Sequence, residues 1–397
     1  MTGFPAPLAD LAARYDPSVF ATQRQGARVR LQGAGAQDVD ALLEGSTLRL
    51  TPADPRRRPD AILRADPATW RAIAADLGGG MAAFRSGRLQ IRHDLHLGVG
   101  LLAATSQTRA PDGLRFHTVK TRMGAISAME AGRGAPVVLL HGLGATKASF
   151  LPTVAALAPH HRVIAIDLLG FGDSDKPIAA AYDAPFFARS VEALLDALEV
   201  DRAHLVGNSM GGRVALEAGL HTPDRVMRLV LLAPSLAWLH PPAWVRLLRF
   251  TRPELGLVQP APRRLVEGIV HRLMPDGAEG WTAAGVDEFL RSYLTRRGRA
   301  AFYAAARNIP LEASHGPDGF WTRLASLEPP ALFVWGRADR LVPVSFAGHV
   351  RRVLPRAEHL ELNCGHVPQL ERPQATHRAV RAFLDRPLRS QPPPSPA

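Results

Sequence analysis

The sequence is short of cysteine, short of lysine and free of long apolar runs, and each shortage removes a class of protein. Cys364 is the only cysteine in 397 residues, so no intramolecular disulfide can form, which fits a reducing compartment. No apolar stretch approaches the roughly 18–20 residues needed to span a bilayer. The first residues, MTGFPAPLADLAARYD, show no basic segment followed by an apolar one, so neither a secretory signal nor a membrane anchor is expected there. The expected location is the cytoplasm.

Lysine occurs only at positions 120, 147 and 176, and arginine supplies nearly all the remaining basic charge. A net charge of +12 and a pI near 11.0 would suit a nucleic-acid binder if the charge were gathered on one face. It is scattered, with no zinc-finger spacing, aromatic RNA-binding motif or heptad array, so no nucleic-acid partner is expected. Net charge still bears on association, and attraction to anionic membranes or acidic ligands stays open. No His, Cys, Asp and Glu group has metal-ligand spacing, and Gly170-Phe171-Gly172 lacks the strand-then-helix glycine pattern of a dinucleotide site. Neither a metal nor a cofactor is implied.

With 46% hydrophobic and 21% charged residues, the chain is neither disordered nor fibrous, and its length suits more than one domain. Turn-rich and proline-rich stretches divide it into residues 20–105, a link at 106–113, a main unit at 114–386 and a tail at 387–397, expected to be disordered. In the main unit, PVVLL (136–140), RVIAID (162–167), AHLVGN (203–208), RLVLLA (228–233), ALFVWG (331–336) and AEHLEL (357–362) read as strands buried on both faces. Helix-length segments such as Phe187–Leu198 and Met210–Leu220 separate several of them. The fold class is therefore α/β with a mostly parallel sheet. Residues 235–327 break the rhythm with helical patterns around Trp244–Phe250, Arg264–Leu273, Val286–Thr295 and Gly298–Arg307, an insertion placed to cap the carboxyl ends of the strands.

Gly207-Asn208-Ser209-Met210-Gly211 stands directly between a strand and a helix. A serine on such a turn projects its hydroxyl outward, and small flanking residues let the backbone turn. Ser209 is the candidate nucleophile, and the N–H of Met210, at a helix N-terminus, can face an oxyanion. His141-Gly142-Leu143-Gly144 follows another strand, and Leu143 is the candidate second donor. A serine hydroxyl needs a base, and the base needs an acceptor to hold its tautomer. Asp339, past ALFVWG, and His366, past AEHLEL, both follow strand ends on the edge that carries Ser209. His141 and His221 are read as structural.

On these motifs, residues 114–386 resemble an α/β-hydrolase fold protein. Asp167-Leu168-Leu169-Gly170-Phe171-Gly172-Asp173-Ser174 is similar to that family's D-x-x-G-x-G-x-S loop, and Val342-Pro343 and Glu371-Arg372-Pro373 match further family positions. The resemblance implies a catalytic triad of Ser209, Asp339 and His366 in the family's chain order.

Residues 20–105 form a small α+β unit: Leu48–Leu50 and Ala61–Leu63 alternate like strands, Pro67–Leu77 reads as an amphipathic helix, and Leu95–Ala104 as an apolar one. Ala65-Asp66-Pro67 before Trp70, Met81–Phe84, Ser86-Gly87-Arg88-Leu89 and Asp94 together resemble the sterol carrier protein 2 lipid-binding domain, although His93 stands where a glycine is common. That resemblance implies a tunnel for an acyl chain or sterol.

The expected activity is hydrolysis of a carboxylic ester with a hydrophobic portion, through an acyl-enzyme. Trp244 and Leu248 of the cap are the expected substrate contacts, and Arg246 and Arg249 are placed for peripheral contact with anionic membrane. Three alternatives stand beside it: an acyltransferase, a non-catalytic lipid-binding protein, and a carbon–carbon bond hydrolase of ring-cleavage products. The motif Gly207-Asn208-Ser209-Met210-Gly211-Gly212 resembles the last group closely, but Val367 follows His366 where those enzymes carry tryptophan.

Overall fold

The computed structural model describes residues 3–20, 26–75, 83–84, 86–106, 112–239, 262–275 and 279–387. Its N-terminal part contains α1 (Ala6–Ala13), β1 (Ala27–Gln32), β2 (Val39–Glu44), β3 (Thr47–Pro52), β4 (Ala61–Arg64), α2 (Pro67–Ala75), β5 (Gln90–Arg92) and α3 (Leu95–Ala104). The five strands form a sheet of their own in the order β3-β2-β1-β4-β5, with β1 parallel to β4 and the other pairs antiparallel. Strands β1 and β2 escaped the sequence reading. Buried Ala27, Val29 and Leu31 alternate along β1 with Arg28 and Arg30, and both arginines bond to the buried carboxylate of Asp40 on β2. Burial alone would raise Asp40, but its hydrogen bonds from Arg30 and Arg28 hold it below the usual carboxylate range.

Where the lipid tunnel was expected, the described residues of this sheet's core leave only a small space. Leu8 and Leu11 of α1 are buried against Leu31, Leu63, Trp70 and Leu101, and the cavity left among these residues is about 10 Å³. That is room for about one water molecule. Residues 6–13 carried no expected role, yet Leu8 and Leu11 belong to this core.

The large sheet holds β6 (Arg115–Thr121), β7 (Gly124–Ala131), β8 (Pro136–Leu140), β9 (Arg162–Ile166), β10 (Ala203–Asn208), β11 (Val226–Leu232), β12 (Ala331–Gly336) and β13 (Glu358–Leu362). Their order is β13-β12-β11-β10-β8-β9-β7-β6. All pairs from β9 to β13 are parallel, and β7 alone runs against its neighbours. The six expected strands are present within a residue or two, and the hairpin β6–β7 is an addition. Strands β8, β10 and β12 are apolar and almost wholly buried, as strands covered on both faces must be. Parallel strands end on one edge, so the loops after β8, β10, β12 and β13 converge.

Helices α4 (Leu151–Leu157), α5 (Ala184–Ala197) and α6 (Met210–His221) belong to the crossovers, and α7 (Arg263–Leu273), α8 (Glu279–Tyr293), α9 (Arg296–Asn308) and α10 (Phe320–Ala325) to the insertion between β11 and β12. α11 (Phe346–Val353) follows β12, and α12 (Pro373–Leu384) follows β13 after a short helical turn at Pro368–Glu371. The N-terminal part packs directly on the large sheet: Leu97 and Leu101 share one buried apolar cluster with Met129, Val137 and Leu139, and Phe20 meets Phe116 edge-on at 5.5 Å. Among the described residues no helix is long and apolar enough to cross a membrane.

Candidate active site

Ser209 sits between β10 and α6 with φ 53° and ψ −115°, a backbone region that non-glycine residues enter only when their surroundings enforce it. Close packing supplies the enforcement. A Cβ on Gly207 would lie 2.2 Å from the carbonyl oxygen of Gly211, and one on Gly211 would lie 1.9 Å from that of Leu140. No larger residue fits at either position, and the turn is driven tight enough to lift Ser209 out of the strand's line. Ser209 N–H donates to Leu232 O at 2.9 Å, and its carbonyl accepts from Arg213 N and Ser235 N.

The other two members of the expected triad meet each other. His366 Nδ1 lies 2.7 Å from Asp339 Oδ2, while Asp339 Oδ1 accepts the backbone N–H groups of Leu341 at 2.8 Å and Val342 at 3.0 Å. The carboxylate is therefore fixed on both oxygens and fixes the imidazole in turn. Both side chains are buried. His366 Nε2 is buried with no hydrogen-bond partner among the described residues, and Ser209 and His366 line the same cavity.

Two residues with no assigned chemistry hold the histidine loop. Glu371 accepts from Gly365 N at 2.9 Å and from Val367 N at 3.0 Å, and Asn208 Nδ2 donates to the carbonyls of Leu232 and His366. The cap takes part as well, since His366 N–H donates to Leu273 O at the end of α7.

The loop after β8 lies beside the serine: a Cβ on Gly142 would come within 3.3 Å of Ser209 Cβ. Leu143 lines the cavity, and Met210 opens α6 immediately after the serine. His141 is a brace for this loop. Its Nε2 accepts from Leu168 N–H at 3.0 Å and its Nδ1 lies 2.8 Å from Gly142 O, so Nδ1 carries the proton, and burial pushes the imidazole's pKa down. His221 is exposed at the end of α6, remote in the fold from that loop. The Asp167–Ser174 motif is also a brace: Asp167 binds the buried ammonium of Lys147 at 2.6 Å and accepts Asp173 N, while Ser174 Oγ donates to Asp167 O.

The cavity has a volume of about 380 Å³ and lies under the helical insertion. α7 contributes Val266, Val270 and Leu273, α8 contributes Trp281 and Phe289, and α9 contributes Phe302. Trp244 and Leu248, the expected substrate contacts, and Arg246 and Arg249 lie outside the described residues. Most of the lining escaped the sequence reading, Leu95 and Glu288 with it. Leu95 comes from the N-terminal part, and Glu288 is the only carboxylate on a described wall that holds neither lysine nor arginine. Burial raises the Glu288 carboxyl, and Arg291, 2.6 Å away, offsets part of that rise. No local signal marks either residue, because what brings them to the cavity is the docking of distant segments. Among the described residues no group of three or more His, Cys, Asp and Glu could hold a metal ion.

A serine elbow, a paired histidine and carboxylate on neighbouring strand ends, and an apolar cavity above them define a hydrolase built for triad chemistry. The chain belongs to the alpha/beta hydrolase fold family, whose model matches residues 135–373. It is 33% identical over 266 residues to a 2-hydroxy-6-oxononadienedioate/2-hydroxy-6-oxononatrienedioate hydrolase of Paraburkholderia xenovorans, covering 64% of this chain and 89% of that one. It is 30% identical over 268 residues to a 2-hydroxy-6-oxo-6-phenylhexa-2,4-dienoate hydrolase of Burkholderia cepacia, covering 64% and 89%. Among solved structures, a bacterial membrane phospholipase A described as a virulence factor aligns with a TM-score of 0.56 and 30% identity, covering 68% of this chain and 86% of that one. The family match begins at residue 135, so the resemblance of residues 20–105 to a lipid-binding domain gains nothing from it.

Proposed function

We propose that the chain cleaves a carbon–carbon bond beside a ketone carbonyl in a ring-fission-type substrate bearing an apolar substituent, with Ser209 as nucleophile. His366 takes the serine proton as Oγ bonds to the carbonyl carbon, and Asp339 holds the imidazole in the required tautomer. The N–H groups of Leu143 and Met210 receive the oxyanion, each worth about 3–4 kcal/mol of barrier. With the substrate in its 2-oxo tautomer, the carbon next to the reacting ketone is a CH2 attached to an enone. The carbon–carbon bond then breaks with its electron pair passing into that enone as a dienolate, and His366 returns the proton to that fragment. Water, activated by the same histidine, releases the acyl group from Ser209 as a carboxylic acid. The main unit at 114–386 with its cap at 235–327 would carry all of this chemistry.

The observation that carries this reading is the similarity to hydrolases of 2-hydroxy-6-oxo compounds over 89% of their length, a span wide enough to include elbow, cap and both triad partners. The apolar cavity suits a phenyl or alkyl group on the 6-oxo carbon.

Ester hydrolysis is the second reading, and the lining favours it. A dienoate carboxylate would meet Glu288 and no cation on the described wall, and burying an unpaired charge costs several kcal/mol. Val367 after His366 and the 30% identity to a phospholipase A point the same way. The two readings separate when 2-hydroxy-6-oxo-6-phenylhexa-2,4-dienoate and p-nitrophenyl esters of increasing acyl length are assayed side by side. Under the first reading kcat/KM for the dienoate exceeds that of the best ester by at least about tenfold, a difference of about 1.4 kcal/mol in transition-state binding. The reverse order would make the protein an esterase.

A further inference from the structure

The cavity wall is not made by the hydrolase unit alone. Leu95, the first residue of α3, is 3% exposed and lines the same cavity as Ser209 and His366. Its position is set locally by Asp94, whose Oδ1 caps the helix through Leu97 N at 2.9 Å. Beside it on the cavity wall stand Trp281, Glu288 and Phe289 of α8, and α8 is clasped by the N-terminal sheet.

The clasp centres on Asp287, with a side chain only 3% exposed. Arg92 of β5 brings Nε to 2.6 Å from Asp287 Oδ2, and the N–H of His93 donates to the same oxygen at 2.9 Å. Arg263 of α7 holds the other oxygen at 2.5 Å. Burial alone would raise this carboxyl, and these bonds bring it below its ordinary range, so it stays charged. Phe84 packs edge-on against Trp281 with ring centroids 4.9 Å apart. One turn further along α8, Arg291 pairs with Asp173 at 2.7 Å and reaches Asp94 at 3.8 Å. Asp287 is the buried member of this group, and a buried carboxylate that loses a partner is strongly destabilising.

We propose that the N-terminal part is the specificity wall of the catalytic cavity: Leu95 limits the size of the apolar substituent admitted, and the Arg92–Asp287 clasp positions α8 beside it. With Ser209 as nucleophile, as proposed above, the group that Leu95 faces is the alkyl or aryl substituent on the reacting carbonyl. Arg92 and Asp287 act through α8 and are positioning residues.

The test uses the full chain and p-nitrophenyl alkylphosphonates with ethyl or dodecyl chains. Ser209 Oγ bonds to phosphorus, the bond to p-nitrophenolate breaks, and the serine proton passes through His366 to solvent. Release of p-nitrophenolate gives the rate, and peptide mass identifies the adduct. One methylene in a hydrophobic pocket is worth about 10–200-fold, so Leu95→Trp should lower the dodecyl-to-ethyl rate ratio by at least about tenfold and Leu95→Ala should raise it. Arg92→Gln should bring the ratio severalfold nearer to one, with Arg92→Lys recovering part of the change. An adduct at Ser209 with the same ratio in both Leu95 variants would overturn the proposal, and so would parallel losses on both probes accompanied by a lower melting temperature. Absence of any Ser209 adduct in the wild type is a different result: it removes the serine chemistry, and the wall's role with it.

Discussion

Glu371 holds Gly365 in place: Oε2 accepts the glycine's N–H at 2.9 Å, while Oε1 accepts that of Val367 at 3.0 Å. One carboxylate thus grips the backbone on both sides of His366, the residue whose Nδ1 must face Asp339. Glu371→Ala leaves two N–H groups in a buried loop without their acceptor, at about 1–3 kcal/mol each. The expected outcome is a lower melting temperature together with a kcat reduced about 10–100-fold, since a loosened base costs alignment. Thermal denaturation and turnover measured on one preparation check both, and wild-type turnover would deny Glu371 its positioning role.

Ser209→Ala should abolish turnover and phosphonate labelling without unfolding the chain, because the hydroxyl supplies chemistry rather than packing. Ser209→Gly offers a second readout. The positive φ of this residue suits glycine, and strain of this kind amounts to about 1–3 kcal/mol. The glycine variant, equally inactive, should therefore melt higher than the alanine variant. A lower melting point for glycine would mean that the elbow carries no strain.

Asp339→Asn should lower kcat by about 10⁴-fold, since an amide that donates to His366 Nδ1 selects the wrong tautomer of the base. The fold should tolerate the change, because the amide oxygen can still accept from Leu341 and Val342. Rates within tenfold of wild type would place the acid elsewhere.

Stability should fall as pH drops through the range in which a free histidine takes up a proton. Burial lowers His96 to about 4, with Lys147 adding to the effect, and lowers His377 to about 4. Below an unfolded pKa of about 6.5 the unfolded chain binds protons that the folded chain refuses, so stability declines between about pH 6.5 and 4. His377 bonds to Thr153 Oγ1 at 3.0 Å, and neither residue lines the cavity that holds Ser209. His377→Gln should reduce the slope of melting temperature against pH in that window while leaving the pH profile of turnover unchanged. An unaltered slope would show that the folded chain binds the proton at His377.

The main sheet and its catalytic edge were readable in advance because their signals are local. Continuous apolar runs such as PVVLL and ALFVWG need only be buried on both faces to become central strands, and Gly207 and Gly211 mark the sharp turn at Ser209 by their size. Asp339 and His366 were legible from their places just past two such runs. Strands β1 and β2 were harder to read, because Arg28, Arg30 and Asp40 look like surface charge until the pairing of the two strands brings them together.

Periodicity, turn chemistry and strand order are carried by neighbouring residues, which is why the fold class and the shared sheet edge of Ser209, Asp339 and His366 could be read from the chain alone. What surrounds that edge is fixed by docking between distant segments. Leu95 enters the cavity, and Arg92 reaches across 195 positions to Asp287, only because the N-terminal sheet docks on the cap. Leu8 and Leu11 come to line one small cavity with Leu31, Leu63, Trp70 and Leu101 in the same long-range way. Contacts between segments so far apart depend on shape and charge at a docked surface, and no local pattern in either segment encodes its partner.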